Sequence, residues 1–170
     1  MTGGEAAEPG PVCVVSACLL GRACRYDGAA KPAAAVRAAV ARWEAAGGRV
    51  VAVCPEELGA LGTPRPAADL RGGDGHAVLA GRAQVRRVDD DHDVTAAFVT
   101  GARRALAAAA VTPARAILKA RSPSCGVGAT SIDGAVFPGD GVFAALLRTC
   151  GVPLATDEDL SAGTSEPPAV

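Results

Sequence analysis

Val12-Cys13-Val14-Val15-Ser16-Ala17, followed by Cys18-Leu19-Leu20-Gly21-Arg22-Ala23-Cys24-Arg25-Tyr26-Asp27-Gly28, is the stretch on which the fold turns. Residues 12–17 are a short, nearly continuous apolar run. Such a run suits a strand buried on both faces, and therefore a parallel sheet. Residues 18–28 are polar, marked by glycine and carry two cysteines, so this strand ends in a loop rich in reactive side chains. The arrangement recurs twice. Residues 50–53 run into Cys54-Pro55-Glu56-Glu57-Leu58-Gly59, and residues 116–118 run into Lys119-Ala120-Arg121-Ser122-Pro123-Ser124-Cys125-Gly126.

Working outward, residues 33–46 predict a helix. Val36, Val40 and Trp43 recur at helical spacing, and Gly47-Gly48 stops the run. Residues 55–73 are rich in Pro and Gly and read as irregular, and residues 78–93 read as a hairpin or extended excursion. Thr95 is expected to cap a helix reaching about residue 109, with Phe98, Ala102 and Leu106 on its buried stripe. Residues 120–140 read as a long loop. Phe143, Leu146, Leu147 and Cys150 then share a helical face closed by Gly151, and residues 152–155 make a fourth strand. Strands alternating with helices imply an α/β fold: a single Rossmann-like three-layer domain with a mostly parallel sheet over residues 11–158. Residues 1–10 and 159–170 read as loose tails. In open α/β sheets, ligands sit beyond the carboxyl ends of the strands. Parallel neighbours put all three cysteine loops on that edge, so Cys18, Cys54 and Cys125 can converge.

The chain has 170 residues, enough for one domain with a real core, and its 17 Lys and Arg are balanced by 18 Asp and Glu. That balance argues against long nucleic acid, which needs many phosphate contacts, and the 3% aromatic content against stacking platforms for single strands. No apolar segment reaches spanning length and the N-terminus lacks basic and apolar signal regions, so a cytoplasmic protein with no membrane partner is expected. Thiols stay reduced there, and the six cysteines read as metal-binding, catalytic or core residues rather than a disulfide framework. Cys13 and Cys150 read as small buried hydrophobes. Cys24 reads as a core residue or a neighbour of the ligands. His76 and His92 read as exposed rather than ligating.

Three thiolates without histidine, and without a C-x-x-C pair, make a poor zinc site. They suit an iron–sulfur cluster. Three protein ligands leave one iron of a four-iron cluster open, and an open iron takes a soft donor such as a thiocarbonyl sulfur.

Val15-Ser16-Ala17-Cys18-Leu19-Leu20-Gly21, Cys24-Arg25-Tyr26-Asp27-Gly28, Cys54-Pro55-Glu56 and Ser122-Pro123-Ser124-Cys125-Gly126, in that order, resemble the thiouracil desulfurase (TudS) family. The resemblance runs over residues 12–155. Pro64-Arg65 keeps the family pattern, while Ala60 stands in place of a glycine and Asp69 in place of a glutamate. The resemblance implies a [4Fe-4S] cluster on Cys18, Cys54 and Cys125, with one iron not ligated by protein and iron–sulfur assembly machinery as a partner. The implied reaction is non-redox: a thiolated nucleobase (2- or 4-thiouracil, or a related nucleoside or nucleotide) becomes the oxo base and sulfide is released.

Water attacking a ring carbon needs a positioned base, and Glu56, two residues after Cys54, is the candidate. Glu57 is the lesser one, since adjacent residues point in different directions. Ser122 could orient the water or hydrogen-bond the base, or could brace a Ser-Pro turn. Lys119 and Arg25 could balance cluster charge or hold a substrate phosphate, and Asp27 suits a structural turn. Two other classes remain open. One is a metal-free cysteine enzyme using Cys18 or Cys125, although no histidine lies in the three loops. The other is a non-enzymatic iron–sulfur carrier or sensor.

Overall fold

The computed structural model describes residues 8–163. β1 (Val12–Ser16) is buried along its whole length. Its alternation sorts side chains into two cores. Val12 and Val14 pack with Phe98, Ala102, Phe143 and Leu147, whereas Cys13 and Val15 pack with Val36, Ala39 and Trp43. β1 pairs in parallel with β2 (Arg49–Val53) and with β5 (Arg115–Leu118), and β5 pairs in parallel with β8 (Leu154–Thr156). The sheet order is β2-β1-β5-β8. α1 (Ala34–Ala45), with Leu160 of α6 (Asp157–Ser161), covers one face. α4 (Thr95–Ala108) and α5 (Val142–Thr149) cover the other. This is the expected three-layer α/β architecture.

A second, four-stranded sheet stands beside the first. β3 (Ala68–Arg71) pairs antiparallel with β4 (Gln84–Arg87), and β6 (Ala129–Ile132) pairs antiparallel with β7 (Ala135–Pro138). The two hairpin-like halves join in parallel through Leu70 and Ile132. Three sequence readings are corrected here. The stretch 55–73 is not irregular throughout, since it holds α2 (Pro55–Leu58) and β3. The excursion 78–93 does turn back on itself, with an antiparallel bridge between Arg86 and Asp93, but it also contains the end of α3 (Gly75–Leu79) and β4, whose main partner is β3. The loop 120–140 contains the β6–β7 hairpin. These strands are four residues long; β3, β4 and β6 carry polar side chains on one face or both, and β7 is apolar but exposed throughout, so no long buried run announces them.

Helix ends need smaller corrections. Thr95 begins α4, but the N-cap is Val94. The Thr95 hydroxyl instead accepts from the Val85 N–H at 2.9 Å, tying α4 to β4, while Asp93 Oδ1 accepts the Thr95 N–H. Cys150 is the C-cap of α5 and is exposed, because the buried face of that helix is Val142, Phe143, Ala144, Ala145 and Leu147. α6 runs through Ser161 behind a Thr156–Asp159 capping box, so the chain is helical past the expected boundary at 159. The expected tails at 1–7 and 164–170 lie outside the described residues. Among the described residues no helix is long and apolar enough to cross a membrane.

One close approach positions the site. A Cβ on Gly101 of α4 would fall 1.9 Å from the Pro55 carbonyl oxygen, and one on Gly59 would fall 2.2 Å from the Ala97 carbonyl oxygen. Only glycine at both points lets α2, which directly follows Cys54, lie against α4.

Candidate active site

The loops that leave β1, β2 and β5 meet at the carboxyl edge of the first sheet, around a cavity of about 500 Å³. Cys18, Cys24, Cys54 and Cys125 all line it, and all four are buried. Each thiol is held by local geometry. Cys18 lies on a single 3-10 turn (Ala17–Leu20) that starts where β1 stops and closes on Gly21 at φ +103°, a conformation glycine adopts freely. Cys54 is the N-cap of α2, and its Sγ donates to the Cys24 carbonyl at 3.5 Å. Cys125 sits in a turn where the Ser122 hydroxyl oxygen accepts the N–H groups of Ser124 and Cys125, each at 3.2 Å.

Crowding and burial raise Cys24, Cys54 and Cys125. Cys24 is pushed up to about 11, first by its hydrogen bond with Cys18, with burial adding and the bond with Cys54 opposing. Cys54 is pushed well above the ordinary thiol range by its hydrogen bond with Cys24 and by burial. Burial pushes Cys125 up to about 12, against a stabilising bond from Ser16. Several sulfurs in one dry place resist becoming anions unless positive charge compensates, which is what a bound metal group supplies. Among the described residues no three His, Cys, Asp or Glu side chains are grouped to hold a single metal ion, and no histidine lines the cavity. Soft donors spread around one cavity fit a polynuclear iron–sulfur group better than a lone ion.

Glu56 enters the same cavity from α2. Arg65 grips its Oε2, at 2.7 Å from Nε and 2.6 Å from Nη2. The Ser124 hydroxyl donates to Oε1 at 3.0 Å. Arg65 also donates to the carbonyls of Cys24 at 2.9 Å and Gly62 at 2.8 Å, so a single guanidinium ties the Cys24 loop to the carboxylate. A model of the 2-thiouracil desulfurase family matches residues 13–159 of this chain. The chain belongs to the 2-thiouracil desulfurase family. It is 37% identical over 152 residues to the uncharacterized protein YbbK of Bacillus subtilis, covering 87% of this chain and 97% of that protein. A solved structure of a [4Fe-4S]-dependent thiouracil desulfidase, TudS, matches with a TM-score of 0.70 at 37% identity, over 89% of this chain and 94% of the other.

The remaining expected residues of this desulfurase-family site separate by position. Glu57 turns away from the cavity, to Arg22 at 2.8 Å and to the Thr63 hydroxyl at 2.7 Å. The neighbouring acids thus diverge, as their adjacency implied. Lys119 lines the cavity, but its ammonium is held by Asp157 at 3.4 Å and the Ala120 carbonyl at 3.2 Å. Arg25 lies on the cavity wall with its guanidinium 5.7 Å from the centre of the Tyr26 ring. Asp27 Oδ1 accepts the Ala29 N–H at 3.0 Å, the structural turn expected of it. Ser122 braces the Cys125 turn through two N–H groups, and its own O–H remains available to a cavity ligand. His76 pairs with Asp140 at 2.9 Å, and His92 is exposed. Arg65 and Ser124 had no assigned role in the sequence reading. The signals were present: Arg65 follows Pro64 within the motif after Cys-Pro-Glu, and Ser124 directly precedes Cys125.

Proposed function

We propose that this chain is an iron–sulfur-dependent desulfurase, which converts the thiocarbonyl of a thiouracil-type ring to a carbonyl. One water is consumed: its oxygen replaces the sulfur on the ring carbon, and the sulfur leaves with both protons as hydrogen sulfide. Membership of the 2-thiouracil desulfurase family, together with Cys18, Cys54 and Cys125 from three distant loops lining one cavity, carries the reading. In this proposal those three cysteines hold a [4Fe-4S] cluster with one iron free of protein ligands. Bound there, the cluster supplies a sulfur-seeking Lewis acid without any change of oxidation state.

The chain's own residues do the rest. Glu56 takes a proton from the attacking water, and its clamp by Arg65 and Ser124 fixes the carboxylate in position. Ser122 holds the Cys125 turn and offers its O–H to the substrate or the water. Cys24, whose carbonyl accepts from the Cys54 thiol, stands beside the ligands as a supporting residue in this proposal. Lys119 and Arg25 offset negative charge at the rim. Loading requires iron–sulfur assembly machinery, and six free cysteines suit a reducing cytoplasmic setting. A metal-free thiol nucleophile is disfavoured, because the cavity has no histidine base and Cys24, Cys54 and Cys125 are all raised.

The test uses anaerobically purified protein. About four irons and four sulfides per chain are expected in wild type and are lost in Cys18→Ser, Cys54→Ser and Cys125→Ser. Cys24→Ser keeps the cluster. Wild type releases sulfide from thiouracil and forms uracil. A protein that stays iron-free after reconstitution, or a loaded protein that leaves thiouracil intact, overturns the proposal.

A further inference from the structure

The wall contributed by the second sheet carries a polar pair that the cluster chemistry does not use. On β3, Asp69 and Arg71 line the cavity, while Leu70 between them is fully buried in the core. Asp69 is 3% exposed. Its Oδ2 accepts the Gly134 N–H. Its Oδ1 is buried with no hydrogen-bond partner, and so is Nε of Arg71. Arg86, the residue opposite Asp69 on β4, is committed to Asp91 and Gln84 instead. A buried carboxylate oxygen without a donor is costly, and folds keep such an atom where a ligand completes it.

We propose that Asp69 determines which ring this desulfurase accepts. Its Oδ1 takes a hydrogen bond from the ring N3–H, and Arg71 Nε donates to the adjacent carbonyl oxygen. The inference rests on the thiouracil reading above and adds the recognition of the ring. With the sulfur directed at the cysteines, 2-thiouracil presents N3–H followed by the C4 carbonyl. 4-Thiouracil presents N3–H followed by the C2 carbonyl. One acceptor–donor pair therefore reads both isomers. A cytosine-type ring fails twice, because its N3 is a lone pair facing a carboxylate and its C4 amine faces a guanidinium. The Gly134 N–H fixes the orientation, since it occupies one carboxylate oxygen and leaves the other for the ligand.

That anchor lets one substitution reverse one of the two contacts. In Asp69→Asn the Gly134 N–H still needs an oxygen, so the amide nitrogen turns to the cavity and becomes a donor. Calorimetric titration of the full-length, cluster-loaded protein with uracil and with cytosine reads recognition apart from turnover. Sulfide release from 2-thiouracil and 2-thiocytosine runs in parallel. Wild type favours the uracil ring by on the order of 100-fold. Asp69→Asn brings the two rings to within about tenfold of each other, because the turned amide suits the cytosine N3 while Arg71 still opposes its amine, with iron content unchanged. Arg71→Met, which leaves the Gly134 bond alone, loses about tenfold in uracil affinity and none for cytosine. It carries the test if Asp69→Asn does not fold. Wild-type preference persisting in Asp69→Asn, or in Arg71→Met where only that variant folds, overturns this inference while sulfide release keeps the desulfurase reading intact. A loaded wild type that neither binds uracil nor releases sulfide overturns both.

Discussion

Arg65→Met tests whether the site is held by one buried guanidinium. The Arg65 side chain is 6% exposed and its partner Glu56 is 14% exposed, so neither charge is well screened by water. Removing the guanidinium leaves the Glu56 carboxylate with the Ser124 hydroxyl, and takes donors from the Cys24 and Gly62 carbonyls. Truncating one member of a buried pair costs about 3–5 kcal/mol, mostly because a charge is left uncompensated. For a chain of this size that corresponds to a fall of about 6–20 °C in Tm. Placement of the base should suffer as well, and a shift of about 1 Å lowers the rate on the order of 100-fold. If the stranded charge is the cause, Glu56→Gln in the Arg65→Met background recovers about 1–3 kcal/mol. Urea and thermal unfolding of the two single variants and the double variant make the cycle. An Arg65→Met protein within about 1 kcal/mol of wild type, or a double variant no more stable than Arg65→Met, refutes the argument.

Glu56→Gln alone lowers sulfide release by about 10²–10⁴-fold with iron content unchanged; full activity with the cluster in place removes Glu56 as the base, and a carrier or sensor role predicts no such dependence. Gly101→Ala drives a methyl into the Pro55 carbonyl, so it should destabilise by about 1–3 kcal/mol and reduce activity by displacing α2, which unfolding and sulfide assays together check. Burial opposes the charge of Asp140, but bonds from Arg148, the Gly128 N–H and His76 outweigh it and hold the group down at about 2. A depressed carboxyl stabilises fully above its unfolded value of about 3.9 and loses that contribution as pH falls toward about 2. Asp140→Asn should therefore cost about 2 kcal/mol at pH 7, with the difference from wild type shrinking between about pH 4 and pH 2 in urea titrations.

The first sheet was legible because its two central strands, β1 and β5, are buried on both faces. Continuous apolar runs such as Val12 to Val15 and Ala116 to Leu118 fit little besides a central strand, and the cysteine loops follow from strand direction. The second sheet was not legible. Ala68-Asp69-Leu70-Arg71 alternates charged residues of a cavity wall with apolar ones, Gln84-Val85-Arg86-Arg87 has a single fully buried residue, and β7 is exposed throughout. Such segments look like loops until their partners are known. The same limit applied within the site. Glu56 could be named from its distance to Cys54, but its clamp joins residues 9 and 68 positions away, which no local pattern encodes. Cys150 went wrong for a smaller reason: α5 ends at Thr149, so the extrapolated apolar stripe overshot by one residue.

The weakness of the signal from the second sheet follows from its task. The first sheet delivers thiols and the Glu56 carboxylate from the carboxyl ends of strands fixed by two cores, so that geometry cannot shift without disturbing the whole domain. The second sheet meets the ligand with strand faces. β3 and β6 share one residue pair, Leu70 with Ile132, reinforced by the Asp133 N–H to the Leu70 carbonyl at 2.8 Å and the Gly134 N–H to Asp69. Asp69 is therefore both a strut between the two hairpin-like halves and, with its other oxygen, a reader of the ring. An aspartate-to-alanine change would confuse those roles, because losing the strut would move the wall. Asparagine keeps the strut and reverses the reader. A change of ring preference at constant stability and constant iron content can then come only from the face turned to the cavity.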